Sequence, residues 1–146
     1  MRGRVHVRVP ATTANLGPGF DALGMALGLY NEIRVEAADA GLRLDVEGEG
    51  AERLREQGPA NLVVRAVAGT LEMLGERPHG LRVETINRIP LSRGLGSSSA
   101  AVLGGVVAAA ALAGARLAPE ELLDLALPLE GHPDNIAPAL LGGLTV

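Results

Sequence analysis

The sequence lacks lysine and cysteine altogether, and each absence excludes a class of chemistry. All 13 basic residues among the 146 are arginines. The phosphate loop of a Walker-type NTPase needs its lysine, so that class is excluded, as are enzymes that form a Schiff base through lysine. Without cysteine the chain can form no disulfide, thiolate nucleophile or cysteine-ligated metal site. Cysteine-free composition is typical of cytosolic proteins, and we expect a cytoplasmic location.

The chain is also poor in aromatic residues and in net basic charge. Aromatic residues make up 1%, and the formal net charge is −4 with an isoelectric point near 5.4. Nucleic-acid binding favours clustered basic charge and, for RNA, stacking rings, so we expect no nucleic-acid partner. The N-terminus, MRGRVHVRVP, has no apolar signal stretch. The longest uncharged run, residues 94–115, is mostly Gly, Ser and Ala, and its apolar part is shorter than the roughly 20 residues that span a bilayer. It predicts a buried helix rather than contact with a membrane.

Alternating apolar and polar residues predict strands separated by loops. Strands are expected at residues 5–9, 29–35, 42–46 and 81–86, with another beginning at residue 144. Pro10 is expected to end the first strand, and the Gly-, Asn- and Thr-rich residues 11–21 to form a loop. Residues 48–58 are polar and are expected to form an irregular connection.

Helical spacing of apolar residues predicts the helices. They are expected at residues 62–74, 97–114 and 136–141, with one more beginning at residue 119. Asn61 is expected to cap the first of these and Gly75 to end it. Pro128 is expected to end or kink the helix that begins at Pro119. Residues 132–135 are expected to form a turn.

The strongest motif is PLSRGLGSSSAA, residues 90–101. It follows a predicted strand and opens a predicted helix, and we refer to its residues 90–96 as the glycine-rich loop. Glycine lets backbone approach a ligand, and unpaired N–H groups at a helix start attract anions. Three serines add hydroxyl groups, one of which could reach a divalent metal. The motif favours a phosphate site; the alternative is a turn in which Ser97 merely caps the helix.

Two glycines further along this helix predict close packing. Gly104 and Gly105 lie inside it, where each glycine costs about 1 kcal/mol relative to alanine. We expect neighbouring elements to approach the helix closely there.

A second motif, residues 10–21, offers groups for a small polar ligand. It carries one amide, Asn15, and one carboxylate, Asp21, in a polar loop after a strand. Such a pair could read donors and acceptors on a substrate, and Asp21 suits a cationic amine. An Asx-turn pair that stabilises the loop is an equal alternative.

A third motif, EGHPDN, residues 130–135, combines a carboxylate, an imidazole and an amide. Glu130 could bind a hard cation, while His132 and Asn135 could hold a hydroxyl or carboxylate. The other histidines, His6 and His79, lack the spacing of a transition-metal site. The alternative is a turn between helices with an ordinary exposed histidine.

Together these segments resemble the GHMP kinase superfamily. Within it, the pairing of TANLGPGFDALGMAL with EGHPDNIAPALLGG is similar to the homoserine kinase family. The resemblance implies an α+β, two-layer fold like that of a ribosomal-protein domain, with a left-handed βαβ unit. It also implies transfer of phosphate from ATP, with Mg²⁺, to the side-chain hydroxyl of L-homoserine, a step toward threonine.

The resemblance also implies roles for individual residues. Ser98 and Glu130 match the residues that bind Mg²⁺, and with Asn135 they form the expected catalytic set. Substrate is expected at Asn15, Asp21, His132 and Asn135. The positions expected to bind ATP are Asn61, Leu91, Ser92, Arg93, Gly94, Leu95, Gly96, Ser97, Ser98, Ser99, Ala100 and Ala101.

The whole chain is expected to form one domain, the N-terminal ATP-binding domain of such a kinase. It stops on LLGGLTV while entering a strand, and the family is about twice as long, which predicts that a C-terminal domain is missing. Whether the 146 residues are active alone is left open. We expect a homodimer. Two alternatives remain: a GHMP kinase for another alcohol, and a non-catalytic nucleotide-binding fragment.

Overall fold

The fold is organised around one mixed β-sheet with helices packed against it. The computed structural model describes residues 1–14, 16–17, 22–130 and 133–146. A short 3₁₀ helix, Gly58–Ala60, lies between the first two α-helices. In chain order the other elements are β1 (Arg4–Ala14), β2 (Gly24–Ala38), β3 (Gly41–Gly48), α1 (Ala51–Glu56), α2 (Leu62–Met73), β4 (Gly80–Asn87), α3 (Ser97–Ala113), α4 (Pro119–Glu130), α5 (Pro133–Leu141) and β5 (Leu144–Thr145).

The strand order explains how the helices are connected. The order is β1-β2-β4-β3, and β5 also pairs with β2. β1 and β4 are antiparallel to β2, whereas β3 runs parallel to β4. Parallel neighbours need a crossover connection, and α1 and α2 provide it. This arrangement confirms the predicted α+β class; the left hand of the βαβ unit stays a prediction.

The helix α3 lies in the middle of the packed layer, between the sheet and α2. A Cβ added at Gly104 would collide with Ile33 of β2 and would lie 3.2 Å from Val9 Cγ1 of β1. On the other side, a Cβ at Gly105 would lie 2.7 Å from Ala66 Cβ of α2. The close packing predicted at these glycines is therefore confirmed. A helix covered on both sides is apolar all round, and none of the described helices has the length and hydropathy of a bilayer-spanning segment.

The opposite face of the sheet is charged. Arg82 of β4 lies 2.7 Å from Glu84 and 3.4 Å from Glu36 of β2, and Arg4 of β1 also pairs with Glu84. Such partly exposed pairs contribute only about 0–1 kcal/mol each. These side chains alternate with buried ones such as Ile33 and Val83. The sheet therefore buries one face against the helices and turns the other to solvent.

The prediction that the first strand ends at Pro10 is wrong. β1 continues to Ala14, and its register against β2 shifts between Pro10 and Thr12. Among the described strands β1 pairs with β2 alone, and it so forms an edge of the sheet. A proline, which cannot donate to the ladder, is tolerated at an edge or a bulge. The extension brings Thr12 to the glycine-rich loop.

The prediction of an irregular connection at residues 48–58 is also wrong, because α1 forms in its centre. The helix follows Gly50, whose φ is 66°, and none of its residues is buried. A six-residue helix with a single large apolar residue, Leu54, shows no apolar periodicity. The sequence pattern therefore carries no helical signal there.

Proline was a poor marker of helix ends near residue 130. α4 does not end at Pro128 but runs two residues further, to Glu130. Pro128 has no N–H to donate to the preceding turn, and the kink expected there stays a prediction. The turn expected at residues 132–135 is wrong for residues 133–135, which begin α5. Proline is well tolerated in a first helical turn. His132 lies outside the described residues.

Candidate functional site

The glycine-rich loop connects β4 to α3 through backbone that favours glycine. Gly94 and Gly96 have φ values of 71° and 70°, and Ser92 has a φ of 56°. Gly96 is the N-cap of α3, and no side chain caps the helix. Ser97 is therefore the first helical residue, and the alternative in which it caps the helix is wrong. The first N–H groups of α3 receive no side-chain cap, which suits an anion.

The loop is held in place by the end of β1. The N–H of Thr12 donates to the Leu95 carbonyl over 3.0 Å. A Cβ added at Gly96 would collide with Thr12 Oγ1 and would lie 3.3 Å from Asn135 Oδ1. Only glycine fits between these side chains, so Gly96 serves the packing of the site as well as the turn.

A serine and a glutamate meet at the first turn of α3. The exposed Ser98 hydroxyl donates to Glu130 Oε1 over 2.8 Å, and the buried Ser99 hydroxyl donates to the same oxygen over 3.0 Å. The two residues predicted to share a metal are thus neighbours, although they lie on different helices. Two further residues of α4 beyond Pro128 bring Glu130 to this position.

A cavity of about 380 Å³ opens beside the loop. Several predicted nucleotide-binding residues line it, namely Asn61, Leu91, Ser92, Ser97, Ser98 and Ala101. Six other residues with the same predicted role do not: Arg93, Gly94, Leu95, Gly96, Ser99 and Ala100. Sequence reasoning missed the wall formed by α1 and the strand ends, which contributes Leu54, Gln57 and Asn87. No motif marks those residues.

Asn61 lies in the wall of the cavity, but its side chain makes its hydrogen bonds to main-chain groups of the protein. It is 4% exposed and caps α2 as predicted, since its Oδ1 accepts from the Val63 N–H over 2.9 Å. Its Nδ2 donates to the Leu54 carbonyl over 3.2 Å. This amide joins α1 to α2, and its contact with a nucleotide stays a prediction.

Asn135 is the predicted substrate residue that the structure places at the loop. Its Oδ1 accepts from the Thr12 hydroxyl over 2.8 Å. The other three predicted substrate residues, Asn15, Asp21 and His132, lie outside the described residues. The neighbouring Asp134 was given no role, yet its Oδ1 is buried and has no hydrogen-bond partner among the described residues. It is a further polar group at this end of α5.

Comparisons with known proteins show the family to which the chain belongs. The family model "GHMP kinases N terminal domain" matches residues 61–143, more than half of the chain. The chain is 55% identical over 145 residues to a homoserine kinase of Streptomyces coelicolor and 54% identical over 142 residues to one of Carboxydothermus hydrogenoformans. Each match covers 97% of this chain, but 47% and 46% of the respective relative.

Solved structures share the fold. The crystal structure of homoserine kinase from Cytophaga hutchinsonii superposes with a TM-score of 0.82 and 32% identity, covering 99% of this chain and 48% of that chain. The mevalonate kinase of Methanococcus jannaschii gives a TM-score of 0.77 at 18% identity, covering 97% and 52%. The second likeness is one of fold alone.

A glycine-rich loop at the head of the buried helix α3 is the central feature of the candidate site. The chain belongs to the GHMP kinase family and carries its N-terminal domain. It spans about half the length of the curated homoserine kinases that it matches.

Proposed function

We propose that the chain is the ATP-binding domain, residues 1–146, of a homoserine kinase, which phosphorylates the side-chain hydroxyl of L-homoserine for threonine biosynthesis. The observation that carries the proposal is the meeting of the glycine-rich loop, Ser98 and Glu130 at the first turn of α3. Relatives named homoserine kinase, about half identical over nearly the whole chain, support the choice of substrate. Because those relatives are twice as long, the proposed activity is that of the longer enzyme.

The proposed role of the loop is to hold the phosphates of ATP. The uncapped start of α3 supplies N–H groups and the positive end of the helix dipole. Gly94 and Gly96 give the backbone the positive φ that this path needs. Phosphoryl transfer asks a protein mainly for positioning and for neutralisation of charge. The cavity beside the loop, about 380 Å³, offers space for the nucleoside.

The proposal includes Mg²⁺, and the donor set at Glu130 fits it. The Ser98 hydroxyl and the Glu130 carboxylate offer oxygen atoms as metal ligands and are hydrogen-bonded to each other. The Ser99 hydroxyl donates a second hydrogen bond that holds the carboxylate in place. The described residues contain no group of three or more His, Asp or Glu able to form a complete cage. Mg²⁺ is commonly bound by one or two carboxylates and substrate phosphates, so this small set suffices. When bound, the ion supplies positive charge beside the β- and γ-phosphates.

Asn135 is proposed to hold the homoserine hydroxyl, together with Asn15, Asp21 and His132 for the rest of the substrate. In the transfer, the hydroxyl oxygen attacks the γ-phosphorus, and the bond to the β,γ-bridging oxygen breaks. ADP keeps that electron pair, and the hydroxyl proton leaves to water. A loose transition state needs little prior deprotonation, so an amide can position the hydroxyl without acting as a base.

The proposal also covers the setting of the enzyme. We place it in the cytoplasm as a homodimer, with no nucleic-acid or membrane partner. The acidic net charge of −4 supports the absence of a nucleic-acid partner, and the lack of cysteine supports the cytoplasmic location.

Release of ADP tests the function directly. The enzyme that contains residues 1–146 is supplied with Mg·ATP and with homoserine, mevalonate or galactose. We expect release that depends on homoserine and is far slower with the other two alcohols. Turnover of mevalonate in place of homoserine would contradict the proposed substrate.

Binding of Mg·ATP to the 146-residue chain tests the phosphate site separately. Calorimetry is expected to detect binding by the unaltered chain and its loss in Gly96→Val, because valine would collide with Thr12 Oγ1. A folded but non-binding unaltered chain would refute the site.

A further inference from the structure

The amide of Asn135 has two chemically different ends, and the site needs one of them to face the substrate. Its Oδ1 accepts from the Thr12 hydroxyl over 2.8 Å, and among the described residues its Nδ2 makes no hydrogen bond. Nδ2 carries two donors, whereas Oδ1 can only accept. The direction of this amide therefore decides whether a substrate hydroxyl meets two N–H donors or an acceptor oxygen.

The buried hydroxyl of Thr12 determines that direction. Thr12 is 0% exposed, and its hydroxyl proton is donated to Asn135 Oδ1. If the amide turned round, Nδ2 could donate to the Thr12 hydroxyl oxygen, but the hydroxyl proton would lose its acceptor in a place that water does not reach. Leaving a buried donor unpaired costs about 1–3 kcal/mol, which favours the observed orientation by roughly 5- to 150-fold.

Thr12 is itself held firmly against the glycine-rich loop. Its N–H donates to the Leu95 carbonyl over 3.0 Å, and its side chain fills the space beside Gly96. The register shift of β1 between Pro10 and Thr12 turns the strand at this point. One residue thus joins the glycine-rich loop to the first turn of α5.

We propose that Thr12 is a positioning residue for phosphoryl transfer, which orients the Asn135 amide so that its N–H donors face the substrate hydroxyl. The inference rests on the proposed function, because Asn135 holds that hydroxyl there. Thr12 acts through Asn135 and is not proposed to touch the substrate.

Kinetics test the positioning in the enzyme that contains this chain. Thr12→Val keeps the shape of the side chain and removes its hydroxyl. We expect kcat with homoserine to fall about tenfold, as for the loss of one oriented hydrogen bond. The KM for ATP should stay unchanged within about twofold. Thr12→Ser, which restores a hydroxyl, is expected to recover most of the rate. Thr70→Val, which removes the hydroxyl of another buried threonine in α2, is the matched control and should leave kcat unchanged. Equal loss of kcat in Thr12→Val and Thr70→Val would overturn the inference.

A double variant separates positioning from general damage. If Thr12 acts only through Asn135, adding Thr12→Val to Asn135→Ala should lower kcat by less than about twofold further. A second full tenfold loss would mean that Thr12 acts by another route and would overturn the inference.

Nuclear magnetic resonance of the 146-residue chain distinguishes failure of the inference from failure of the proposed function. The side-chain amide signals of Asn135, assigned by their loss in Asn135→Ala, should shift in Thr12→Val and stay in place in Thr70→Val. Thr12→Ala provides a second variant should valine prevent folding. Unshifted signals in the folded Thr12 variants would refute the orienting bond whatever the activity. Shifted signals in an enzyme that phosphorylates no homoserine would instead refute the proposed function, and the catalytic part of the inference with it.

Discussion

The first turn and the middle of α3 belong to one helix but have opposite surroundings. Around Gly104 and Gly105 the helix is packed between the sheet and α2, with no room for a side chain. At the first turn no side chain caps the helix, and exposed Ser98 shares the Glu130 carboxylate with Ser99. Backbone groups bond to one another in the middle of a helix but lack partners in its first turn. A helix can therefore be core along its length and a binding site at its head.

Removing the charge at the head of α3 is expected to give the largest effect. Glu130→Gln keeps an oxygen that can accept from Ser98 and Ser99 but loses the negative charge proposed to hold Mg²⁺. We expect kcat with Mg·ATP and homoserine to fall about a hundredfold, while the free energy of unfolding changes by less than about 0.5 kcal/mol. Glu120→Gln in the first turn of α4 is the control for charge and should be near neutral. Full activity in Glu130→Gln would remove the proposed metal site.

A change in the middle of α3 should instead mainly lower the free energy of unfolding. Gly105→Val places carbon atoms against Ala66 and the Val63 carbonyl, which are part of the facing helix. Such overpacking is expected to lower the free energy of unfolding by about 3 kcal/mol, measured in urea. In Gly69→Ala a Cβ meets no atom within 4 Å, and the stability should instead rise by about 0.5–1 kcal/mol. Equal destabilisation by the two variants would mean that Gly105 is not a site of close approach.

The smallest of the three expected effects is at Asn61. Asn61→Ala removes the cap of α2 and the bond to Leu54, and the free energy of unfolding should fall by about 1–2 kcal/mol. Asn61→Ser keeps a capping oxygen, so its affinity for Mg·ATP, measured by calorimetry, tests a direct role. Weaker binding in the serine variant supports contact with the nucleotide, whereas unchanged binding limits Asn61 to the cap.

Elements with strong local patterns were predicted well. The helices α2 and α3 and the strands β3 and β4 were expected close to their observed positions, because their apolar residues recur with a clear period. α1 was missed because a short polar helix has no such period. The end of β1 was missed because proline usually stops a strand, and only the sheet edge makes Pro10 tolerable.

In the candidate site the pairing of Ser98 with Glu130 was expected, but the contacts of Thr12 and part of the cavity wall were not. The glycine-rich loop, Ser98 and Glu130 were all expected, and the hydrogen bond between the two side chains joins α3 to α4. Thr12 was overlooked, although it lies in a motif that was singled out, because an isolated threonine has no spacing that marks it. The Asn87 and Gln57 walls of the cavity were overlooked for the same reason.

The sequence by itself determined the local features: a loop whose glycines permit positive φ, a helix start rich in serine, and apolar stretches with the periods of helices and strands. These depend on short-range sterics and hydrogen bonding, which neighbouring residues decide. Only the tertiary structure decided that Ser99 as well as Ser98 donates to Glu130, that Thr12 donates to Asn135, and what packs on Gly104 and Gly105. Such contacts join residues that are distant along the chain, and they depend on how the buried faces of the sheet and helices fit together.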